Sequence, residues 1–77
     1  MKKIRNSEFP LRESYEGQFD GNIEFEINCF EKADGWMLVA KEENRQKRRG
    51  YHFYALSSND PLEALDHLRG KIRKGIF

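Results

Sequence analysis

The sequence has little of what usually identifies a secreted or membrane protein. It contains one cysteine, Cys29, so no disulfide can form within the chain. Small secreted domains usually depend on several disulfides. No apolar run approaches the roughly 20 residues that span a bilayer, and the basic start MKKIRN is not followed by the apolar segment of a signal peptide. We therefore expect a cytoplasmic protein with no membrane contact.

Metal ligands are equally scarce. Thiol and imidazole side chains occur only at Cys29, His52 and His67, and no CxxC or HxxxH spacing is present. Structural zinc needs ligands at such spacings. Cys29 lies in an alternating pattern with apolar neighbours, which indicates that it is a small core residue. Glu63 lies four residues before His67, and this spacing indicates that the two form an ordinary surface pair. The sequence predicts no metal site and no cofactor.

Arrangements for catalysis are missing too. Ser57 and Ser58 precede a predicted helix, where hydroxyls commonly cap or turn, and no glycine-rich elbow presents them as nucleophiles. Glu24 and Glu26 share one side of a predicted strand, but paired carboxylates do acid–base work only where burial drives their pKa values apart. No glycine motif for phosphate binding is present. We predict that the protein is not an enzyme and has no small-molecule substrate.

Length and composition indicate one small domain over residues 1–77. The chain is 38% hydrophobic and 13% aromatic, which favours a folded core over disorder. The segment 1–14 is expected to be irregular or flexible. Residues 1–34 carry five basic and eight acidic side chains, whereas residues 35–77 carry nine and five. Such a division can mark an anionic partner, or complementary surfaces within one fold or between two copies.

The C-terminal segment shows the clearest element, a helix. Asp60 stands at the N-cap position, Pro61 at the first helical position, and Glu63 completes a capping-box pattern. A single apolar stripe follows at helical spacing, formed by Leu62, Leu65, Leu68, Ile72 and Ile76. Two glycines leave the end of the helix open, at Gly70 or at Gly75.

The middle of the chain predicts strands. IEFEINCFE alternates with a period of two, and the turn KADG leads into a returning strand, WMLVAKE. A two- or four-residue loop puts Trp36, Leu38 and Ala40 on the face of Phe25, Ile27 and Cys29. A three-residue loop with a bulge would put Met37 and Val39 on that face instead. We favour the first because it buries the tryptophan.

The sequence predicts a third strand after the basic segment and indicates a further strand near the N-terminus. GYHFYALS has two apolar faces, so its phase stays open between Tyr51 with Phe53 and Tyr54 with Leu56. YEGQF, followed by Asp20-Gly21, predicts an additional N-terminal strand, which Gly17 and Pro10 disfavour. The expected fold class is α+β, a three- or four-stranded antiparallel β-meander with one C-terminal helix packed on one face.

A basic loop between the last two strands suggests one kind of partner. Its cations are Lys41, Arg45, Lys47, Arg48 and Arg49. Arginine engages phosphate in bidentate fashion, and neighbouring aromatics could stack on unpaired bases. The loop 41–49 is therefore a candidate nucleic-acid or polyanion site. The simpler alternative is a solvated surface loop, since surface loops are polar.

The sheet suggests another kind of partner, because one helix covers only one face. The residues expected on the uncovered face are Phe30, Met37, Val39 and Tyr54. An apolar group of that size often marks an interface, although the N-terminal FPL, Tyr15 and Phe19 could instead fold over it. We predict a non-catalytic binding module that contacts a protein partner or forms a homodimer through this face. Nucleic-acid binding is the alternative.

Overall fold

The computed structural model describes residues 8–18, 21–43 and 50–76, which form a four-stranded antiparallel sheet and one helix. The strands lie side by side in chain order: β1 (Leu11–Gly17), β2 (Gly21–Lys32), β3 (Gly35–Glu42) and β4 (His52–Ser57). The helix α1 spans Pro61–Ile76 and packs on one face of the sheet. The predicted α+β meander with a C-terminal helix is confirmed, with four strands rather than three.

The N-terminal strand β1 begins earlier than YEGQF suggested. It pairs with β2 from Leu11↔Ile27 to Gly17↔Gly21. Side chains at odd positions turn toward the helix and are half-buried, whereas those at even positions are exposed. The segment 1–14, expected to be irregular, is thus a strand from Leu11 onward, and its residues 1–7 lie outside the described part of the chain, as does Phe19.

The β2–β3 hairpin has the predicted facing. Ile27 pairs with Ala40 and Cys29 with Leu38 across a two-residue turn. Gly35 ends this turn with φ of 145°, and a Cβ there would lie 2.3 Å from the Ser57 carbonyl oxygen. The hairpin therefore requires glycine at this position, because any side chain would collide with the end of β4.

The register of β4 decides which of its two apolar faces is turned toward the helix, a question that the sequence left open. Phe53 pairs with Ala40, and Tyr54 pairs with Val39. Phe53 and Ala55 consequently face the helix, while Tyr54 and Leu56 face away from it.

One core lies between the sheet and α1. Its buried side chains are Ile23, Phe25, Ile27, Leu38, Ala40, Ala55, Ala64, Leu65, Leu68, Ile72 and Ile76. Phe25 is fully buried near the centre, with the rings of Tyr15 and Phe53 at centroid distances of 5.8 and 5.9 Å in edge-on geometry. Such aromatic contacts add directional stabilisation to the burial of apolar area.

The helix begins as its cap predicts. The Glu63 backbone N–H donates to Asp60 Oδ1 over 2.9 Å. The Glu63 carboxylate does not close a reciprocal capping box, and instead accepts a hydrogen bond from Asn59 Nδ2 at 3.0 Å. The cap thus ties the helix to the preceding turn, where Ser57 Oγ accepts from the Asn59 N–H.

Neither glycine ends the helix, which continues to Ile76. Gly70 has open space where a Cβ would stand. A Cβ at Gly75 would lie 2.4 Å from Phe53 Cε1, so Gly75 permits close packing of the last helical turn on β4. The helix therefore runs past both of the ends that the sequence left open, at Gly70 and at Gly75.

Candidate functional site

The face of the sheet opposite α1, which we call the open face, has no covering layer among residues 8–18, 21–43 and 50–76. The strand registers arrange its side chains in rows across the sheet. Phe30, Met37 and Leu56 form one row, and Val39 lies beside Tyr54 in the next. These five residues form what we call the apolar end of the open face.

Large side chains in the apolar end are strongly exposed. The exposed fractions are 46% for Phe30, 57% for Tyr54 and 59% for Leu56. Met37 and Val39 between them are half-buried by their neighbours. The structure therefore brings together all four residues predicted as a protein interface, Phe30, Met37, Val39 and Tyr54, and adds Leu56 to them.

Tyr54 is held from the other side of the sheet by the helix. Lys71 of α1 reaches around β4, where its Nζ donates to the Tyr54 carbonyl oxygen at 2.8 Å. The same ammonium lies 5.1 Å from the centroid of the Tyr54 ring. A cation at this distance from a ring attracts it and favours this orientation of the tyrosine.

The other end of the open face carries charges of both signs. One row contains Arg12, Glu26, Lys41 and His52. Arg12 Nε donates to Glu43 at 2.7 Å, and its Nη2 lies 3.7 Å from Glu26. The hydrogen bond to Glu43 and the surrounding carboxylates raise the pKa of Arg12.

The predicted polyanion site lies mostly outside the described residues. Lys41 is exposed at the end of β3 and faces Glu26 across the sheet. Arg45, Lys47, Arg48 and Arg49 belong to residues 44–49, which the structure does not describe. The nucleic-acid hypothesis therefore stays a prediction.

A groove on the helix side runs between β1 and the second half of α1. Its volume is about 560 Å³, and it is lined by Glu13, Ser14, Tyr15, Glu16, Arg69 and Arg73. Arg69 binds the Glu13 carboxylate through two nitrogens, Nε at 3.1 Å and Nη2 at 2.5 Å. Tyr15 donates its hydroxyl to the same carboxylate at 2.7 Å. The sequence did not reveal this network, because its members are 56 positions apart along the chain.

Protonation in the groove follows from these contacts. The hydrogen bond from Arg69 lowers the pKa of Glu13 despite its partial burial. Burial, followed by the hydrogen bond to Glu13, raises the pKa of Tyr15 to about 12. At neutral pH, Glu13 is a carboxylate and Tyr15 a neutral donor. Arg69 and Tyr15 both donate to the Glu13 carboxylate, an arrangement that is typical of a structural network.

Other candidate groups stay apart. The described residues contain no cluster of three or more histidine, cysteine or acidic side chains placed to hold a metal. Cys29 is half-buried beside the core, and burial raises the pKa of its thiol. Glu26 is salt-bridged to Arg12 and also accepts from Asn28 Nδ2 at 3.1 Å, as expected for a carboxylate on an exposed sheet face.

Comparisons with known proteins give a family without a described activity. Among the described residues, α1 is too short and too polar to cross a membrane. Comparison with curated proteins and with solved structures found no match. One family model, described as "Domain of unknown function (DUF7686)", matches residues 8–77. The match spans the whole sheet and the helix, and the chain therefore belongs to the DUF7686 family.

Proposed function

We propose that this protein is a non-catalytic binding module that docks another protein surface on the apolar end of its open face. The observation that carries the proposal is the exposure of Phe30 on β2 and of Tyr54 and Leu56 on β4, on either side of β3. A cytoplasmic location fits the single thiol of Cys29.

The chemistry of the apolar end suits a protein more than a polyanion. Aromatic residues and methionine are enriched in the buried centres of protein interfaces, and this patch contains Phe30, Tyr54 and Met37. Rigid aromatic side chains also lose little conformational entropy on binding. Lys71 further reduces that cost for Tyr54 by favouring one orientation of its ring.

The charged end of the open face also favours a protein partner over a polyanion. Carboxylates of Glu24, Glu26 and Glu43 stand beside Arg12. Mixed charge of this kind repels a phosphate backbone as much as it attracts one, whereas it forms a polar rim around a protein interface.

A site-specific crosslinking experiment tests the docking proposal. A photoreactive phenylalanine analogue replaces Tyr54 in one variant and His67, on the solvent side of α1, in a control. Irradiation in the cells that make the protein should give a protein adduct from position 54 and none from position 67. Adducts from neither position, or equal adducts from both, contradict docking on the open face.

Substitution of Leu56 by glutamate provides the second arm. A charge within the apolar end should abolish the adduct, because an unpaired carboxylate would be buried in the interface. Lys74→Gln, on the exposed side of α1, should leave the adduct unchanged. If the adduct at position 54 is this protein itself, sedimentation over a concentration series identifies self-association.

Polyanion binding by the loop 41–49 is the second candidate, supported by its five cations. Binding to random DNA and RNA should weaken steeply as salt rises, because phosphate contacts release counterions. Absence of binding at about 50 mM salt ends this candidate.

A further inference from the structure

The two edges of the sheet differ in how their backbone groups are satisfied. Both β1 and β4 are edge strands of the described sheet. At the β4 edge, Lys71 Nζ occupies the outward carbonyl of Tyr54. No described side chain caps the corresponding groups of β1. An uncovered edge presents unpaired N–H and C=O groups and is a template for another strand.

The register shows which groups of β1 are free. The Glu42 N–H bonds the Tyr51 carbonyl at 3.1 Å, and the Glu43 N–H bonds the Glu24 carbonyl at 2.8 Å. Hydrogen-bonded and non-hydrogen-bonded pairs alternate in antiparallel sheets. Even positions of β2 therefore bond β3, and odd positions bond β1.

Odd positions of β1 are thus used by β2, through pairs such as Glu13↔Phe25 and Tyr15↔Ile23. The N–H and C=O groups of the even residues, Arg12, Ser14 and Glu16, point away from the sheet. Their side chains lie on the open face and are exposed. The edge therefore offers three consecutive outward-facing residues.

We propose that β1 pairs with β1 of a second copy, antiparallel and centred on Ser14, to give one continuous sheet. Outward-facing residues must stand opposite one another for such pairing. With the two-fold axis at Ser14, Arg12 faces Glu16 of the second copy, Ser14 faces its equivalent, and Glu16 faces Arg12. Each facing pair exchanges two backbone hydrogen bonds.

Charge makes this edge complementary to itself. The pairing sets a cation opposite an anion at both ends, and cross-strand pairs of opposite charge stabilise a sheet. The Glu16 carboxylate has no ion pair among the described residues. Arg12 uses its Nε for Glu43, but a guanidinium has five donors and can bind a second carboxylate.

Neighbouring registers are less favourable. Moving the axis to Glu13 sets Arg12 opposite Ser14 and brings Pro10, which has no N–H, opposite Glu16. Moving it to Tyr15 brings Arg12 opposite Gln18, which lies beyond the end of β1. Only the axis at Ser14 uses every free group and pairs both charges.

The surroundings of the edge leave room for a second strand. The groove between β1 and α1 is open and lined by Glu13, Tyr15, Arg69 and Arg73. A two-fold axis normal to the sheet keeps both helices on one side and both open faces on the other. The inference is independent of the proposed docking on the apolar end, although the dimer would display two such ends side by side.

A charge-exchange experiment tests the pairing. Sedimentation of the wild type from about 1 μM to about 1 mM should show a monomer–dimer equilibrium, since an interface of this size is weak. Glu16→Lys and Arg12→Glu each set like charges opposite one another. Each should raise the dissociation constant by about tenfold or more.

Mixing the two variants supplies the decisive arm. A heterodimer of Glu16→Lys with Arg12→Glu again has opposite charges in every facing pair, so the mixture should associate more tightly than either variant alone. A wild type that is monomeric throughout, or a mixture that does not associate, overturns the proposal. Leu56→Glu, which tests the apolar end, should leave this equilibrium unchanged.

Amide hydrogen exchange measured by NMR reads the register directly. Amides of Glu13 and Tyr15 should be protected at all concentrations, because they bond β2. Amides of Arg12, Ser14 and Glu16 should gain protection only at high concentration. Ser14→Pro removes an outward N–H without breaking the β1–β2 ladder and should abolish that gain. Persistent fast exchange at the even positions in a dimer excludes edge pairing.

Discussion

Individual side chains gain their roles here from contacts that bridge distant parts of the chain. Glu13 of β1 and Arg69 of α1 are the clearest case, with exposed side-chain fractions of 19% and 34%. A charge-assisted hydrogen bond that is partly shielded from water contributes more than a surface pair. The pair fastens the outermost strand to the helix, so it should govern how firmly β1 is held.

Glu13→Gln should lower the free energy of unfolding at pH 7 by about 1–2 kcal/mol, because the charged partner of Arg69 is lost. The folded-state pKa of Glu13 is depressed, so its stabilisation is present above the ordinary value of 4.5 and is lost as pH falls through the folded-state value. The difference between wild type and variant should therefore shrink below pH 4.5 in urea titrations.

Asp66→Asn is the matched control, because Asp66 also faces Arg69 but is 70% exposed and 4.0 Å away. It should change the free energy of unfolding by less than about 0.5 kcal/mol. A Glu13 effect that does not vary with pH would contradict the assignment to charge.

Gly35→Ala tests the tightest backbone contact. The φ of 145° and the 2.3 Å approach of a Cβ to the Ser57 carbonyl should together cost more than about 2 kcal/mol. Gly21→Ala, with φ of 68° and open space, should cost only the conformational part, about 1 kcal/mol. Thermal denaturation followed by circular dichroism compares the two. Equal losses would show that the contact with Ser57 is unimportant.

At the scale of elements, the sequence predicted what is encoded locally. The Asp60 cap and the Asp34-Gly35 turn are short-range signals, and both are present in the structure. The phase of β4 was not encoded locally, because both of its faces carry aromatic residues. The phase was set by the pairing of β4 with β3.

The end of α1 also could not be predicted from the local sequence. A glycine in a helical pattern can end a helix or sit inside it, and propensity alone does not decide. Burial of Ile72 and Ile76 against the sheet carries the helix past both glycines. β1 was obscured similarly, since the side chains that it turns toward the helix include a charged one, Glu13.

Gly70→Ala and Gly75→Ala form a matched pair within α1. Gly70→Ala should raise the free energy of unfolding by about 0.5–1 kcal/mol, because alanine favours the helix and its Cβ meets nothing. Gly75→Ala should lower it, because the new methyl collides with the Phe53 ring. Chemical denaturation measures both. A gain at both positions would refute close packing at Gly75.

At the scale of the whole molecule, the sheet has two unlike faces. The core side chains on the helix side are nearly inaccessible, whereas Phe30, Tyr54 and Leu56 on the open face are about half exposed. Alternation and loop length together identified from the sequence which side chains of β2 and β3 lie on each face, but not those of β4. The sequence could not identify the edges, because the free edge depends on how far β1 extends and on its register.

Leu68→Ala and Leu56→Ala compare how much a leucine on each face of the sheet contributes to the free energy of unfolding. Leu68 is fully buried, so its truncation should cost about 2–5 kcal/mol through lost burial and a cavity. Leu56 is 59% exposed, so the same change should cost less than about 1 kcal/mol in the monomer. Urea unfolding at low protein concentration measures both. A large loss at Leu56 would mean that the open face is covered.

The lysine that spans from α1 to the Tyr54 carbonyl has a consequence for assembly. A chain with two usable sheet margins could add neighbours without end and grow into fibrils. If β1 pairs with a second copy as proposed, obstruction of the other margin by Lys71 would limit the assembly to two chains. The bond from Lys71 would then act as a terminator of that assembly, and its loss would allow further chains to add.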